Sequence, residues 1–127
     1  MTEFTVHLSN RPGQFAALVG KLASAGVHIE ALALFSLGDD GMARLMANDD
    51  DATRRVLSDA GVRFEEQRVI ETVIKDEPRA LADMTKRLAD SGVNIEAMYL
   101  LHANGDSLHF AVAVDDPAVA STQLRSH

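Results

Sequence analysis

The sequence predicts an α+β protein built from two βαββαβ units in tandem, the second stopping short of its last strand. Three observations predict it. First, the chain repeats itself. Asn10-Arg11-Pro12-Gly13-Gln14-Phe15, Gly26-Val27-His28-Ile29-Glu30-Ala31 and Asn48-Asp49-Asp50 are answered by Asp76-Glu77-Pro78-Arg79-Ala80-Leu81, Gly92-Val93-Asn94-Ile95-Glu96-Ala97 and Val114-Asp115-Asp116. Pro78 minus Pro12, Gly92 minus Gly26 and Asp115 minus Asp49 are all 66. A period this long marks a duplicated domain rather than a solenoid repeat. Second, the apolar period alternates between the two-residue spacing of strands and the 3.6-residue spacing of helices in the same order in both copies. Third, the chain has 127 residues, so each half is of a size that buries too little surface to be robust alone. The halves are expected to share a core or to pair edge to edge.

The elements follow in order. Phe4-Thr5-Val6-His7-Leu8 alternates as a half-buried strand does. Asn10 to Gly13 breaks it, and Phe15, Leu18, Val19 and Leu22 then mark one helix face. Pro12 suits a first helical turn, and Gly26 suits the position that ends the helix. Val27, Ile29, Ala31, Ala33 and Phe35 share one face of the next strand, leaving His28, Glu30, Leu32 and Leu34 on the other. Gly38 to Gly41 is a turn, Met42 to Asn48 the returning strand, and Asp49 or Asp50 an N-cap. A helix carrying Ala52, Val56 and Leu57 ends at Gly61, and Val62 to Arg68 is the fourth strand. Residues 1–68 make the first unit.

The second unit, 69–127, repeats the order. Val69–Ile74 is its first strand, and Leu81, Met84 and Leu88 mark its first helix. Val93–Leu101 and Leu108–Val114 form a hairpin around Asn104-Gly105, a strong two-residue turn signal. That turn pairs Leu101 with Leu108 and Tyr99 with Phe110. Asp116-Pro117 caps a final helix, and the unit's fourth strand would need residues beyond 127. Apolar residues on the outward faces, Leu32 and Leu34 in one copy and Met98 and Leu100 in the other, imply that something covers them, self-association being the economical occupant. Arg44 falls in register with the core residue Phe110. Either a bulge in the first hairpin flips the parity, the preferred reading, or Arg44 is buried and paired.

Composition excludes several functions. The formal net charge is −7, which disfavours nucleic acid and anionic membrane as partners. There is no cysteine, so no disulfide, thiolate nucleophile or cysteine-ligated zinc. No apolar run reaches the ~20 residues of a membrane helix, and the N-terminus lacks the pattern of a signal peptide, so a cytoplasmic protein is expected. No activated nucleophile, phosphate-binding glycine loop or paired carboxylates stand out, so no catalysis and no cofactor are expected. His102 and His109 share a hairpin face, diagonally placed, but two histidines without a third ligand do not amount to a metal site.

A βαββαβ unit with an Asn/Asp-x-Pro-Gly-x-apolar turn after its first strand, and Ala-Gly-Val-His-Ile-Glu opening its second, resembles an ACT domain. Two such units cover nearly the whole chain, which is similar to small free-standing tandem ACT proteins and more distantly to the regulatory tail of aspartokinases. The first motif is a close match; the second departs from it where Arg79 replaces the glycine. The resemblance implies a ferredoxin-like sandwich that binds an amino acid or similar small ligand at unit–unit or subunit interfaces. It also implies a regulatory, non-catalytic role; the apolar outward faces make a homodimer the expected assembly, and with no catalytic or DNA-binding segment of its own the chain is expected to act on a separate regulated protein. The chemistry fits. A helix that starts directly after a strand offers unpaired N–H groups and a positive dipole end to a carboxylate, and Gly13 permits close approach. The candidate ligand residues are Asn10, Arg11, Pro12, Gly13, Gln14, His28 and Ile29, with Asp76, Arg79, Asn94 and Ile95 in the second copy. The alternative is a ligand-free interaction and oligomerisation module that uses the open edge and the apolar face.

Overall fold

A computed structural model describes residues 1–125. The described residues form β1 (Thr2–Ser9), α1 (Gln14–Ser24), β2 (Ile29–Leu37), β3 (Asp40–Ala47), α2 (Asp50–Asp59), β4 (Arg63–Arg68), β5 (Ile70–Lys75), α3 (Pro78–Asp90), β6 (Ile95–Asn104), β7 (Ser107–Val114) and α4 (Pro117–Arg125). The chain divides into two compact units, Met1–Gln67 and Arg68–His127.

In the first unit the strand order is β2-β3-β1-β4, and β3 runs antiparallel to both β1 and β2. Its core joins Phe4 and Val6 of β1, Ala43, Leu45 and Ala47 of β3, Leu18 and Leu22 of α1, and Leu57 of α2. Both helices therefore cover one face of the sheet. In the second unit the order is β5-β7-β6. Ile74, Phe110, Val112 and Val114 meet Met84 and Leu88 of α3 and Ala120 and Leu124 of α4. The α+β character and the βαββαβ order stand as the periodicity predicts, in the arrangement of a tandem ACT-like fold.

Matching ends show how closely the copies correspond. The N–H of Gly26 donates to Ala23 O and that of Val27 to Leu22 O; Gly92 donates to Ala89 O and Val93 to Leu88 O. These are Schellman closures, satisfying carbonyls that the helix leaves open. The Asn48 side chain accepts from the His28 N–H at 2.9 Å, and the Asp115 side chain accepts from the Asn94 N–H at 2.8 Å. Asp49 caps α2 through the Ala52 N–H, and Asp116 caps α4 through the Val119 N–H.

Those last pairs correct the repeat register. Asn48 matches Asp115 and Asp49 matches Asp116, an offset of 67 rather than 66. The extra residue is Leu101. Pairing of β6 with β7 shifts there, running Leu100↔Phe110 and then His102↔His109. The turn is Gly105-Asp106, with Asn104 opposite Ser107, so Tyr99 faces Ala111 and Ala103 faces Leu108. Gly105 has φ 62 and sits first in a two-residue loop, the place a II′ turn reserves for glycine, whereas Asn-Gly implies glycine second, as in I′.

A second bulge is common to both copies, at Glu30 and at Glu96. It flips the expected face of each following strand, because one extra residue exchanges the two sides. Leu32 and Leu34 face Leu45 and Ala43 on the helix side, and Ala31 and Ala33 face Met46 and Arg44 on the outer side. Met98 packs against its core. Leu32, Leu34 and Leu100 remain exposed because β2 and β6 are the end strands of their sheets. The parity puzzle at Arg44 resolves in the same terms. The bulge that separates the copies lies in the second hairpin, at Leu101, so Arg44 corresponds to outward-facing Ala111. Arg44 also pairs with Glu3 at 3.2 Å, and Glu3 is 1% exposed and accepts from Gln67 Nε2 at 3.2 Å.

Candidate functional site

The loop between β1 and α1 is held by one residue. Asn10 donates from Nδ2 to the Gly38 carbonyl at 2.7 Å and from its backbone N–H to the Asp39 carbonyl at 2.8 Å, while its Oδ1 accepts from Ser36 Oγ at 3.4 Å. It therefore binds the loop to the β2–β3 turn and is not a helix cap. Its side-chain oxygen is already engaged by Ser36. The cap is Gly13, with φ 86 and no side chain to accept from the first-turn N–H groups. Arg11 and Pro12 lie exposed in the loop ahead of it, so Pro12 precedes the helix instead of opening it. A Cβ built on Gly13 would meet nothing within 4 Å. The glycine is needed for its backbone conformation, and the space beside it is open.

Beside this loop is a small recess of about 60 Å³, whose lining includes Asn10 and Arg11 of the loop, Gln14 and Phe15 of α1, and Leu34, Phe35 and Ser36 of β2. The arrangement can offer uncapped N–H groups at a positive helix end next to a small apolar floor. Sequence reasoning missed Leu34, Phe35 and Ser36. Strand direction could have found them: β1 and β2 are both antiparallel to β3, so the end of β2 lies beside the end of β1.

The same direction separates His28 and Ile29 from the loop. They sit at the start of β2, and the seven steps from Ile29 to Ser36 span ~23 Å at ~3.3 Å each. The unit does not bring them to the recess by itself. His28 is exposed, with its backbone held by Asn48. Asn94 and Ile95 likewise lie at the start of β6, held by Asp115, away from the β5–α3 loop.

That second loop repeats the first only in part. Asp76 donates its N–H to the Asp106 carbonyl as Asn10 does to Asp39, and Glu77 donates to Lys75 O as Arg11 does to Ser9 O. Then the two diverge. α3 starts at Pro78, two repeat positions earlier than α1, because Arg79 follows the helix where Gly13 turns left-handed. The Arg79 side chain is 81% exposed and lies 3.9 Å from Asp83 on the same helix.

Electrostatic pairing elsewhere is structural in character. Arg54 bonds Glu66 through Nε and Nη2, both at 2.7 Å, and Asp51 at 2.8 Å. These bonds raise the Arg54 pKa above its ordinary range and hold Glu66 below the usual carboxylate value. His7 bonds Glu65 at 2.7 Å. Among the described residues no group of three or more His, Cys, Asp or Glu is placed to hold a metal ion, and no helix is long and apolar enough to cross a membrane.

No family model matches the chain, and no curated protein matches it. Solved structures do. Protein BT0572 from Bacteroides thetaiotaomicron superposes with a TM-score of 0.88 at 23% identity, over 98% of this chain and 85% of that one. The ligand-free regulatory subunit of aspartate kinase from Thermus thermophilus gives 0.68 at 18% identity, over 98% and 88%. A structure of aspartokinase alpha and beta subunits gives 0.67 at 15% identity, over 98% and 87%. The chain thus shares the tandem ACT-like fold of aspartokinase regulatory subunits along nearly its whole length.

Proposed function

We propose that this protein is a non-catalytic regulatory module that binds a small amino acid in the recess beside Gly13 and acts in trans on a separate cytoplasmic protein. The observation that carries the reading is the first loop. Asn10 fixes an uncapped helix N-terminus at the mouth of an apolar recess. The ligand carboxylate lies on the α1 N–H groups and its side chain enters toward Leu34 and Phe35. A recess of about 60 Å³ selects small side chains. Likeness in fold to a regulatory subunit of aspartate kinase supports the regulatory role.

The ligand site is completed by a second chain. β2 is an end strand, and Leu32, Leu34, Phe35 and Leu37 along it are exposed, Leu37 at 68%. Antiparallel pairing of two β2 strands covers these side chains. It also sets His28 and Ile29 of one chain beside Asn10–Gln14 of the other, joining residues that one unit holds ~23 Å apart. The second loop, with Arg79 inside its helix, is the weaker or silent site.

A thermal-shift panel of the twenty amino acids tests this. A ligand at ~100 times its dissociation constant adds about 2.7 kcal/mol, a shift of several degrees for a chain of this size. One or two small amino acids raising the midpoint are expected. A flat panel on folded protein would overturn the reading. The exposed β2 edge would then favour a ligand-free oligomerisation module, visible as a stable dimer indifferent to every amino acid.

A further inference from the structure

The second hairpin carries an arrangement with no counterpart in the first. His102 and His109 stand directly opposite each other on β6 and β7, rather than diagonally. Their rings stack with centroids 4.1 Å apart and planes inclined by 25°. With Leu101 left unpaired as a bulge, the two strands keep this register. Were β6 paired regularly through Leu101, Leu101 would oppose His109 and His102 would turn to the helix side, since a one-residue slip exchanges faces. Bulges commonly re-aim a side chain in this way. The positions corresponding to His102 and His109 in the first copy, across the bulge, are Phe35 and Met42, which also pair. Neither carries an imidazole.

The pair lies on the outer face of its sheet. His102 is exposed and His109 half-buried. On the neighbouring strand the residue opposite His109 is Val73, with Glu71 and Lys75 at the next outward positions on either side. Two imidazoles chelate one ion when their ring nitrogens are ~3–3.4 Å apart, given metal–nitrogen bonds of ~2.0–2.1 Å. Rings already this close reach that separation by rotation about χ2, a broad torsion for histidine.

We propose that His102 and His109 form a two-imidazole site for a borderline divalent metal ion, with copper(II) held more tightly than zinc. Imidazole suits these ions, and hard cations such as magnesium prefer oxygen. Water fills the remaining coordination positions. The site is independent of the amino-acid recess.

The chain contains one tyrosine and no tryptophan, and Tyr99 occupies the outward position on β6 just before the bulge. Its fluorescence is therefore a local reporter. Titration with copper(II) alone, paired with equilibrium dialysis, is expected to show saturable uptake of one ion per chain and quenching of Tyr99. His102→Ala and His109→Ala are each expected to weaken uptake by more than about tenfold, the loss that even an outer-shell partner can cause. His7→Ala should leave it intact. Acidification should release the ion, because a protonated imidazole cannot ligate. Absence of saturable uptake, its survival in His102→Ala, or its loss in His7→Ala instead would each overturn the proposal. The alanine variants change only side chains on the outer face of the sheet, so they are expected to fold.

Discussion

Substituting Gly13 separates two things that one glycine does. Its φ of 86 lies in the left-handed region, which costs an ordinary L-residue about 1–2 kcal/mol. A Cβ there would meet nothing within 4 Å, so no steric term adds to the backbone one. Gly13→Ala should therefore lower the unfolding free energy by about 1–2 kcal/mol, read from urea denaturation as a lower midpoint at unchanged slope. The strain has one route of relief, the conformation of the other copy, in which the helix begins two residues sooner. That moves the first free N–H groups by ~3 Å at 1.5 Å per residue and takes them from the recess. Either way the thermal response to the cognate amino acid should be lost. Gly13→Asn sharpens the test. Asparagine tolerates the left-handed region, so it should recover most of the stability while its side chain still stands in the ligand's path. If Gly13→Ala is as stable as the parent and keeps its ligand response, both the conformational argument and the placement of the ligand are wrong.

Three further outcomes follow from the packing and charge pattern. Leu57→Ala removes a fully buried side chain from the first core and should cost about 2–5 kcal/mol, measured by chemical denaturation. Arg44→Ala removes the guanidinium that pairs with the buried Glu3 and should cost up to about 3–5 kcal/mol. The double replacement Glu3→Gln with Arg44→Met should regain much of that loss, and a double-mutant cycle would show the coupling. Glu66 is held below its ordinary pKa by Arg54, so the folded state binds its proton less readily than the unfolded state does. Its contribution is present above the ordinary carboxylate range and fades as pH falls through the lowered folded value. The stability gap between the parent and Glu66→Gln should therefore be constant near neutrality and shrink below about pH 4. A gap unchanged down to pH 2.5 would refute that pairing.

The amino-acid order alone determined the element types, their sequence and the duplication. Those rest on local physics. Leu18 and Leu22 recur at helical spacing, Phe4 and Val6 at strand spacing, and Gly26 and Gly92 end helices wherever they occur. The turn between β1 and α1 was legible too, because Pro12-Gly13 is local punctuation, but which residue caps the helix was not. What the order left undecided is which face a residue takes after a bulge. Glu30, Glu96 and Leu101 are unremarkable as letters, and an extra residue in a strand is visible only when its partner strand is laid beside it. Hence the faces of Leu32 and Leu34, the pairing of Tyr99 and the parity of Arg44 were decided by cross-strand hydrogen bonding. So was the meeting of His102 with His109. Tertiary structure also decided that His28 and Gly13 stand at opposite ends of the sheet. Strand direction is a property of the assembled sheet, and no residue spacing along the chain encodes it.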